Sequence, residues 1–176
     1  AGNIDNLVYA VMNAFYIACS SFVGQNYGAG KAERVRKSYL LTLGYSAFIA
    51  GFFGMLFLLF GREFLSLFTS ESAVIDAGLE RIRIMCFVFP LSALMDDTTA
   101  AARGIGKGLV PMIFVFLGSC VFRVIWIYTV FAYFHTISSL YLLYPFSWII
   151  TGAAEIFYFL YSYKKIVVPL GASRKA

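Results

Sequence analysis

Long apolar runs are the feature that most limits what this chain can fold into. Each of the five runs is close to the roughly 20 residues that an α-helix needs to cross a bilayer. The runs cover about residues 7–23, 39–60, 82–102, 109–134 and 138–163. A membrane β-strand is shorter and alternates apolar with polar residues, whereas these runs are apolar on every face. The sequence therefore predicts an all-α, polytopic integral membrane protein with five transmembrane helices.

The composition indicates the same surroundings. Of the 176 residues, 61% are hydrophobic and 13% are charged. A soluble domain carries about 25% charged residues, because its surface must be wetted. The net charge of +5 does not indicate a nucleic-acid partner, since the basic residues lie in the connections between apolar runs and form no basic stripe with exposed aromatics. We expect the lipid bilayer as a partner, and no nucleic acid.

Basic residues are distributed unevenly between the two sides of the predicted bundle. One side holds Lys31, Arg34, Arg36, Lys37, Arg103, Lys107, Lys164, Lys165, Arg174 and Lys175. The other side holds Arg62, Arg81 and Arg83, diluted by Glu63, Glu71, Asp76 and Glu80. The positive-inside rule places the first side in the cytoplasm. Five spans with a cytoplasmic C-terminus put residue 1 outside, and an external N-terminus without a signal sequence predicts further helices upstream.

Cysteine and histidine give no indication of a metal or redox site. Cys19, Cys86 and Cys120 each lie inside an apolar run without a CxxC spacing, and His135 is the single histidine. Cysteines in this setting are small packing residues. We expect no cofactor and no metal.

Two glycine-rich segments follow the first and third apolar runs. Residues 22–37 read FVGQNYGAGKAERVRK, with Gly24, Gln25, Asn26, Gly28 and Gly30. Residues 100–112 read AAARGIGKGLVPM, with Arg103, Gly104 and Gly106. Glycines permit tight turns as a chain leaves a helix, and the Gln and Asn amides can satisfy carbonyls at the helix end. No strand precedes the first segment and no Lys-Ser/Thr follows it, so a phosphate loop is not expected.

The first segment resembles the G-Q-x-x-G-A-G-like signature of the multidrug and toxic compound extrusion (MATE) transporters. The second resembles the R-G-x-G element of the same family, at the matching distance. FRVIWIYTVF and YPFSWIITG are also similar to bacterial members, so the resemblance covers nearly the whole chain. It implies one incomplete lobe of a two-lobe, twelve-helix transporter in the bacterial cytoplasmic (inner) membrane. Residues 1–166 are then helices eight to twelve of the C-terminal lobe, residues 167–176 are a cytoplasmic tail, and the N-terminal lobe is missing.

Acids inside the predicted helices are the candidate coupling residues, because charge in a bilayer is costly. Asp96 and Asp97 lie in the third run, and Glu155 lies at a similar depth in the fifth. We predict that they bind the coupling cation or the substrate. Neighbouring residues on a helix point about 100° apart, so the two aspartates need not face one cavity. Alternatively, one aspartate caps a helix kink or pairs with Arg123.

Three other polar residues are candidates for lining the cavity: Asn13, Ser92 and Arg123. The resemblance implies a cation- or substrate-binding acid on the third helix, usually one turn farther from the R-G element, where Ser92 stands in this sequence. Asn13 lines the same cavity or forms an interhelical hydrogen bond. Arg123 is better explained as a structural counter-charge, because a cation in the cavity repels cationic substrates.

Small residues recur at helical spacing on the second run. Ala47 with Gly51, and Ala50 with Gly54, form a face that lets helix backbones approach closely. This pattern predicts close packing within the chain rather than a dimer site. Pro90 and Pro145 lie inside runs, where each disfavours a straight helix.

The resemblance implies secondary active multidrug efflux, in which amphipathic and often cationic compounds are exchanged for Na⁺ or H⁺. The partners would be small amphipathic organic cations and the missing N-terminal lobe. A lipid or oligosaccharide-precursor flippase on a related fold is an alternative, and a non-transporting membrane fragment is another. An intramembrane enzyme would need paired acids on different helices or an HExxH motif, so we expect no enzymatic activity.

Overall fold

The computed structural model describes residues 2–134 and 137–173, which form five helices numbered α1 to α5 in chain order. Helix α1 is Gly2–Gly28, α2 is Ala32–Ser66 and α3 is Ser72–Gly104. The predicted all-α chain with five helices is confirmed. His135, Arg174 and Lys175 lie outside the described residues.

The last two helices contain π-helical turns. Helix α4 consists of Leu109–Phe116, Phe122–Trp126 and Ala132–Phe134, joined by the π-helical turns Leu117–Val121 and Ile127–Phe131. Helix α5 is Ile137–Ser162 and continues through the π-helical turn Tyr163–Val167 into Val168–Ser173. Such turns widen an α-helix locally by one residue.

Three of the described helices are long and apolar enough to cross a membrane, by length and composition. These spans are Ala32–Ser66, Leu109–Phe131 and Leu142–Leu170. They lie in α2, α4 and α5. The spans predicted at about residues 7–23 and 82–102, which belong to α1 and α3, stay predictions.

Helix α3 lies at the centre of the bundle. It packs against α1, α2 and α5, while α4 packs mainly against α5. Buried apolar side chains fill these contacts, such as Phe57 of α2, Phe89 of α3 and Phe159 of α5. Large apolar residues are exposed along α2, α4 and α5, for example Phe48, Tyr128 and Phe157. This exposure is typical of helices whose solvent is hydrocarbon.

The small-residue face of α2 packs against α3 where a proline interrupts the helical hydrogen bonds. Pro90 has no N–H to donate to the carbonyl of Cys86, one turn earlier. A Cβ atom on Gly54 would lie 2.8 Å from that carbonyl oxygen, and one on Gly51 would lie 3.8 Å from the Pro90 ring. Glycine therefore lets α2 approach α3 directly beside the freed carbonyl. The prediction of close packing within the chain is confirmed at these two glycines.

The basic connections meet at one end of the bundle. The Tyr163 hydroxyl, in the π-helical turn of α5, donates to the Ala32 carbonyl at the start of α2, 3.0 Å away. Gly24 of α1 contacts Gly104 of α3 at the same end. At the opposite end, Arg62 pairs with Asp76 across α2 and α3 at 2.6 Å. The unequal charge in the sequence thus corresponds to the two ends of the bundle, and the cytoplasmic assignment of the basic end stays a prediction.

Candidate functional site

The two glycine motifs end α1 and α3 in the same way. At the end of α1, the Lys31 N–H donates to the Asn26 carbonyl at 2.9 Å, and at the end of α3 the Lys107 N–H donates to the Ala102 carbonyl at 2.8 Å. Gly30 and Gly106 precede these lysines with φ values of 69° and 75°, a region that favours glycine. This combination is a Schellman motif. Each Gly-x-Gly-Lys segment is therefore a helix stop.

The same motifs also bring α1 and α3 into backbone contact. A Cβ atom on Gly104 would lie 2.8 Å from the Ser20 carbonyl oxygen and 2.8 Å from Cγ1 of Val23. A Cβ atom on Gly24 would lie 3.3 Å from the Gly104 carbonyl oxygen. Gly24 and Gly104 therefore set the distance between the two helices. A Cβ atom on Gly28 would meet no atom within 4 Å, so Gly28 has no such packing role.

The polar residues of the first motif have different partners. The Asn26 amide donates to the Phe22 carbonyl at 2.8 Å and to the Ser38 hydroxyl at 3.2 Å, which ties α1 to α2. Gln25 is exposed, and its amide donates to the Ser21 hydroxyl at 3.2 Å. The prediction that these amides satisfy helix carbonyls therefore holds for Asn26 only.

Asp97 faces the interior between α1, α2 and α3. It is 1% exposed. The Ser46 hydroxyl of α2 donates a short hydrogen bond to its Oδ2. The Cys19 thiol of α1 donates to its backbone carbonyl at 3.4 Å. The adjacent Thr98 shares a 2.9 Å hydrogen bond with the Tyr39 hydroxyl of α2. Asp97 is thus enclosed among polar groups that fasten α3 to its neighbours.

Asp96 faces a different part of the bundle and is partly exposed. It lines an open depression of about 390 Å³ with Tyr9, Met12, Asn13 and Tyr16 of α1. The two aspartates therefore face different surroundings, as the helical geometry predicted, and Asn13 shares the depression with Asp96.

The second glycine motif reaches this depression through its arginine. The Arg103 guanidinium carbon lies 5.7 Å from the ring centroid of Tyr16, within the range of a cation–π contact. Arg103 stands in the last turn of α3, where a cation also interacts favourably with the carbonyl end of the helix.

Glu155 is the third predicted acid, and it is fully buried. The Thr99 hydroxyl of α3 donates to its Oε1 at 2.8 Å. Its Oε2 is buried and has no hydrogen-bond partner. Glu155 lies within electrostatic range of Asp96, so the structure brings these two acids together from different helices.

Two predicted cavity-lining residues lie elsewhere. Ser92 is 1% exposed, and its hydroxyl donates to the Phe89 carbonyl of its own helix at 2.9 Å. The guanidinium carbon of Arg123 lies 4.6 Å from the ring centroid of Tyr144. Neither residue lines the depression beside Asp96. That Ser92 and Arg123 line the cavity of a two-lobe transporter stays a prediction; in this chain Ser92 is turned inward and Arg123 contacts an aromatic ring. The alternative pairing of Arg123 with an aspartate is not observed in the described part of the chain.

The neutral partners of the acids were not predicted from the sequence. These partners are Ser46 for Asp97, Thr99 for Glu155, and Tyr9 and Tyr16 beside Asp96. A signal for Ser46 was present, since Ser38, Thr42 and Ser46 repeat every fourth residue and mark a polar face of α2. No comparable spacing pointed to Thr99.

Comparisons with known proteins give the family of this chain. The MatE family model matches residues 1–129. The chain is 25% identical over 119 residues to a protein of Thermotoga maritima named "Probable multidrug resistance protein NorM", a match that covers 65% of this chain and 25% of that protein. Members of the family are transporters and not enzymes.

A solved structure has a similar fold. It is described as the inward-facing conformation of a multidrug resistance MATE family transporter of the MOP superfamily, and it matches with a TM-score of 0.75 and 22% identity. The match covers 96% of this chain and 38% of the transporter, so the chain spans well under half the length of either relative. Together with the apolar helices, these findings show an integral, multi-pass membrane protein. Because the family model matches most of its residues, the chain belongs to the MatE family.

Proposed function

We propose that α1 to α5 are helices eight to twelve, in the C-terminal lobe of a multidrug efflux transporter. The complete transporter would export amphipathic organic cations in exchange for Na⁺ or H⁺. Family membership and the names of the two similar proteins support efflux. The depression beside Asp96 carries the proposal for the substrate class.

The chemistry of the depression suits an aromatic or amphipathic cation. Asp96 supplies a carboxylate and Tyr9 supplies a ring that attracts cations, while the Tyr16 ring already contacts Arg103. Met12 adds a polarisable thioether, and Asn13 adds an amide oxygen. The volume of about 390 Å³ is near the small end of the range for ligand pockets, about 300–1,000 Å³. It fits part of a drug-sized cation, and we assign the remaining contacts to the other lobe.

The packing of α1 on α3 supports a preformed site. The depression lies between these helices, and Gly24 and Gly104 fix their separation at one end. The Cys19 thiol joins α1 to the Asp97 carbonyl between that end and the depression. Binding groups held by rigid elements lose little entropy when the ligand binds. We place the end that carries the basic residues in the cytoplasm, according to the positive-inside rule.

Ethidium efflux by the full-length transporter tests this proposal. We expect Asp96→Asn to lower efflux by about tenfold, which corresponds to a lost charge–cation interaction of about 1.4 kcal/mol. Asp76→Asn is the matched control, because Asp76 is exposed at the opposite end and pairs with Arg62. An exposed pair contributes about 0–1 kcal/mol to stability, so the control should export ethidium normally.

Two outcomes would count against the proposal. Undiminished efflux by Asp96→Asn would remove Asp96 from the substrate path. Absence of ethidium efflux from the unmodified transporter, together with translocation of a lipid-linked saccharide, would favour the flippase alternative.

A further inference from the structure

Glu155 carries a buried carboxyl group that does not line the depression beside Asp96. It lies between α5 and α3 with its side chain fully buried. One carboxyl oxygen accepts a hydrogen bond from Thr99, and the other has no partner. A buried oxygen without a partner carries a free-energy cost, so its retention in a membrane helix indicates a role beyond packing.

Among the described residues no cation forms an ion pair with Glu155, and the guanidinium of Arg103 contacts the Tyr16 ring instead. In the described part of the chain, the titratable groups in electrostatic range are Asp96 of α3, Tyr16 of α1 and Tyr39 of α2. Asp96 is an acid and the tyrosines are phenols. An ionised Glu155 would therefore be an unpaired charge, which is far costlier to bury than a neutral acid.

Among the described residues, Glu155 belongs to no cluster of three or more acidic, histidine or cysteine side chains that could hold a metal cation. Hard cations take a shell of several oxygen ligands. Here the carboxyl group has the Thr99 hydroxyl as its hydrogen-bonding neighbour. The Thr151 hydroxyl, one turn earlier on α5, faces Gly118 of α4 and also has no hydrogen-bond partner. A proton on Oε2 needs no such shell, because it forms a covalent O–H bond.

We propose that Glu155 is the residue that binds the proton exchanged for the organic cation. In the proton-loaded state, Oε2 carries the hydrogen and the acid is neutral. Release breaks this O–H bond and passes the proton to the neighbouring Asp96 carboxylate, which lines the depression, and from there to water. Both acids are then carboxylates. Two negative charges then attract an organic cation more strongly than Asp96 alone. By linkage, a cation bound at Asp96 favours proton release from Glu155 to the same extent.

This inference rests on the proposed function and deepens it by naming the coupling ion and its residue. The direct test is proton release from the detergent-purified, full-length transporter in weakly buffered solution on addition of tetraphenylphosphonium. We expect the unmodified protein to release protons as the cation binds. Glu155→Gln keeps an oxygen that can accept from Thr99 but cannot carry the proton, so it should bind the cation without releasing protons. Glu63→Gln, exposed at the opposite end, should release protons like the unmodified protein.

A second variant separates loss of the proton from loss of the fold. Glu155→Asp keeps an acid and should retain proton release, even if Glu155→Gln is poorly folded. If Glu155→Gln binds tetraphenylphosphonium and releases protons like the unmodified protein, the proposal is overturned while the efflux function stands.

An infrared measurement tests whether Glu155 is protonated even if the unmodified transporter binds no cation. The difference spectrum between the unmodified protein and Glu155→Gln should show the C=O stretch of a protonated carboxylic acid. Failure to bind any organic cation would remove the proposed function. Absence of the acid band would separately remove Glu155 as a proton site.

Discussion

The two sides of α3 differ sharply at a pair of adjacent acids. On one side, which we call the closed face, Asp97, Thr98 and Gly104 pack against α1 and α2. On the other, which we call the open face, Asp96 borders a depression with Tyr16. Asp97 has a hydroxyl donor and is enclosed, whereas Asp96 is partly exposed.

The depth of an acid along a membrane helix therefore does not by itself assign its role. Asp96 and Asp97 stand at nearly the same depth, but the roughly 100° between neighbouring side chains gives them different surroundings. The closed face uses its polar groups to join helices. The open face leaves a carboxylate available to a ligand. We therefore expect changes on the closed face to lower stability and changes on the open face to lower binding.

The largest loss of stability is expected from Gly104→Val. Its Cβ atom would meet the Ser20 carbonyl at 2.8 Å, and backbone cannot yield as a flexible side chain can. Overpacking of this kind costs about 3 kcal/mol. Unfolding by SDS in mixed micelles measures the effect on the full-length protein. Gly28→Val is the control, with open space around its Cβ atom, and equal losses for both variants would contradict the glycine contact.

A smaller loss is expected from Ser46→Ala on the closed face. This change removes the hydroxyl that donates to Asp97, and a buried acceptor without its donor costs about 2 kcal/mol. Asn13→Ala on the open face should change the free energy of unfolding by about 0.5 kcal/mol or less. The same SDS titration compares the two variants. A greater loss for Asn13→Ala would reverse the proposed division between the faces.

Of the three losses on the closed face, the smallest is expected from Tyr39→Phe. It deletes the hydroxyl that shares a 2.9 Å hydrogen bond with Thr98, which contributes about 1 kcal/mol. Tyr16→Phe keeps the ring beneath Arg103 and should unfold like the unmodified protein. Thermal unfolding in detergent, followed by intrinsic fluorescence, compares the unfolding midpoints of the two variants. Identical midpoints for both variants would show that the Tyr39 hydroxyl does not fasten α2 to α3.

The fold was largely predictable because hydrocarbon selects long apolar helices. The predicted runs located all five helices, but α2 extends to Ser66 and α3 begins at Ser72, well beyond the apolar runs at about 39–60 and 82–102. Hydropathy marks the part of a helix that lies in lipid, whereas turns and caps end the helix. The glycine motifs were correctly placed at helix ends. Their contact with each other depends on how α1 crosses α3, which spacing along the chain does not encode.

The candidate site was predictable only in part. The cost of burying charge singled out Asp96, Asp97 and Glu155 as candidates, and Asn13 lies beside Asp96 in the structure, while their roles stay predictions. The burial of Ser92 could not be read from the sequence, because the rotation of α3 about its axis is set by packing against three neighbours. The neutral groups that distinguish the acids come from other helices, so no local pattern around the acids reveals them.

Binding of ethidium to the full-length protein in detergent shows directly whether the ligand occupies the open face. We expect Asp96→Asn to weaken binding by about tenfold. Asp97→Asn keeps an acceptor for Ser46 and should bind within about twofold of the unmodified protein, which is about 0.4 kcal/mol. The opposite result, with binding lost in Asp97→Asn and kept in Asp96→Asn, would contradict the assignment of the open face to the ligand.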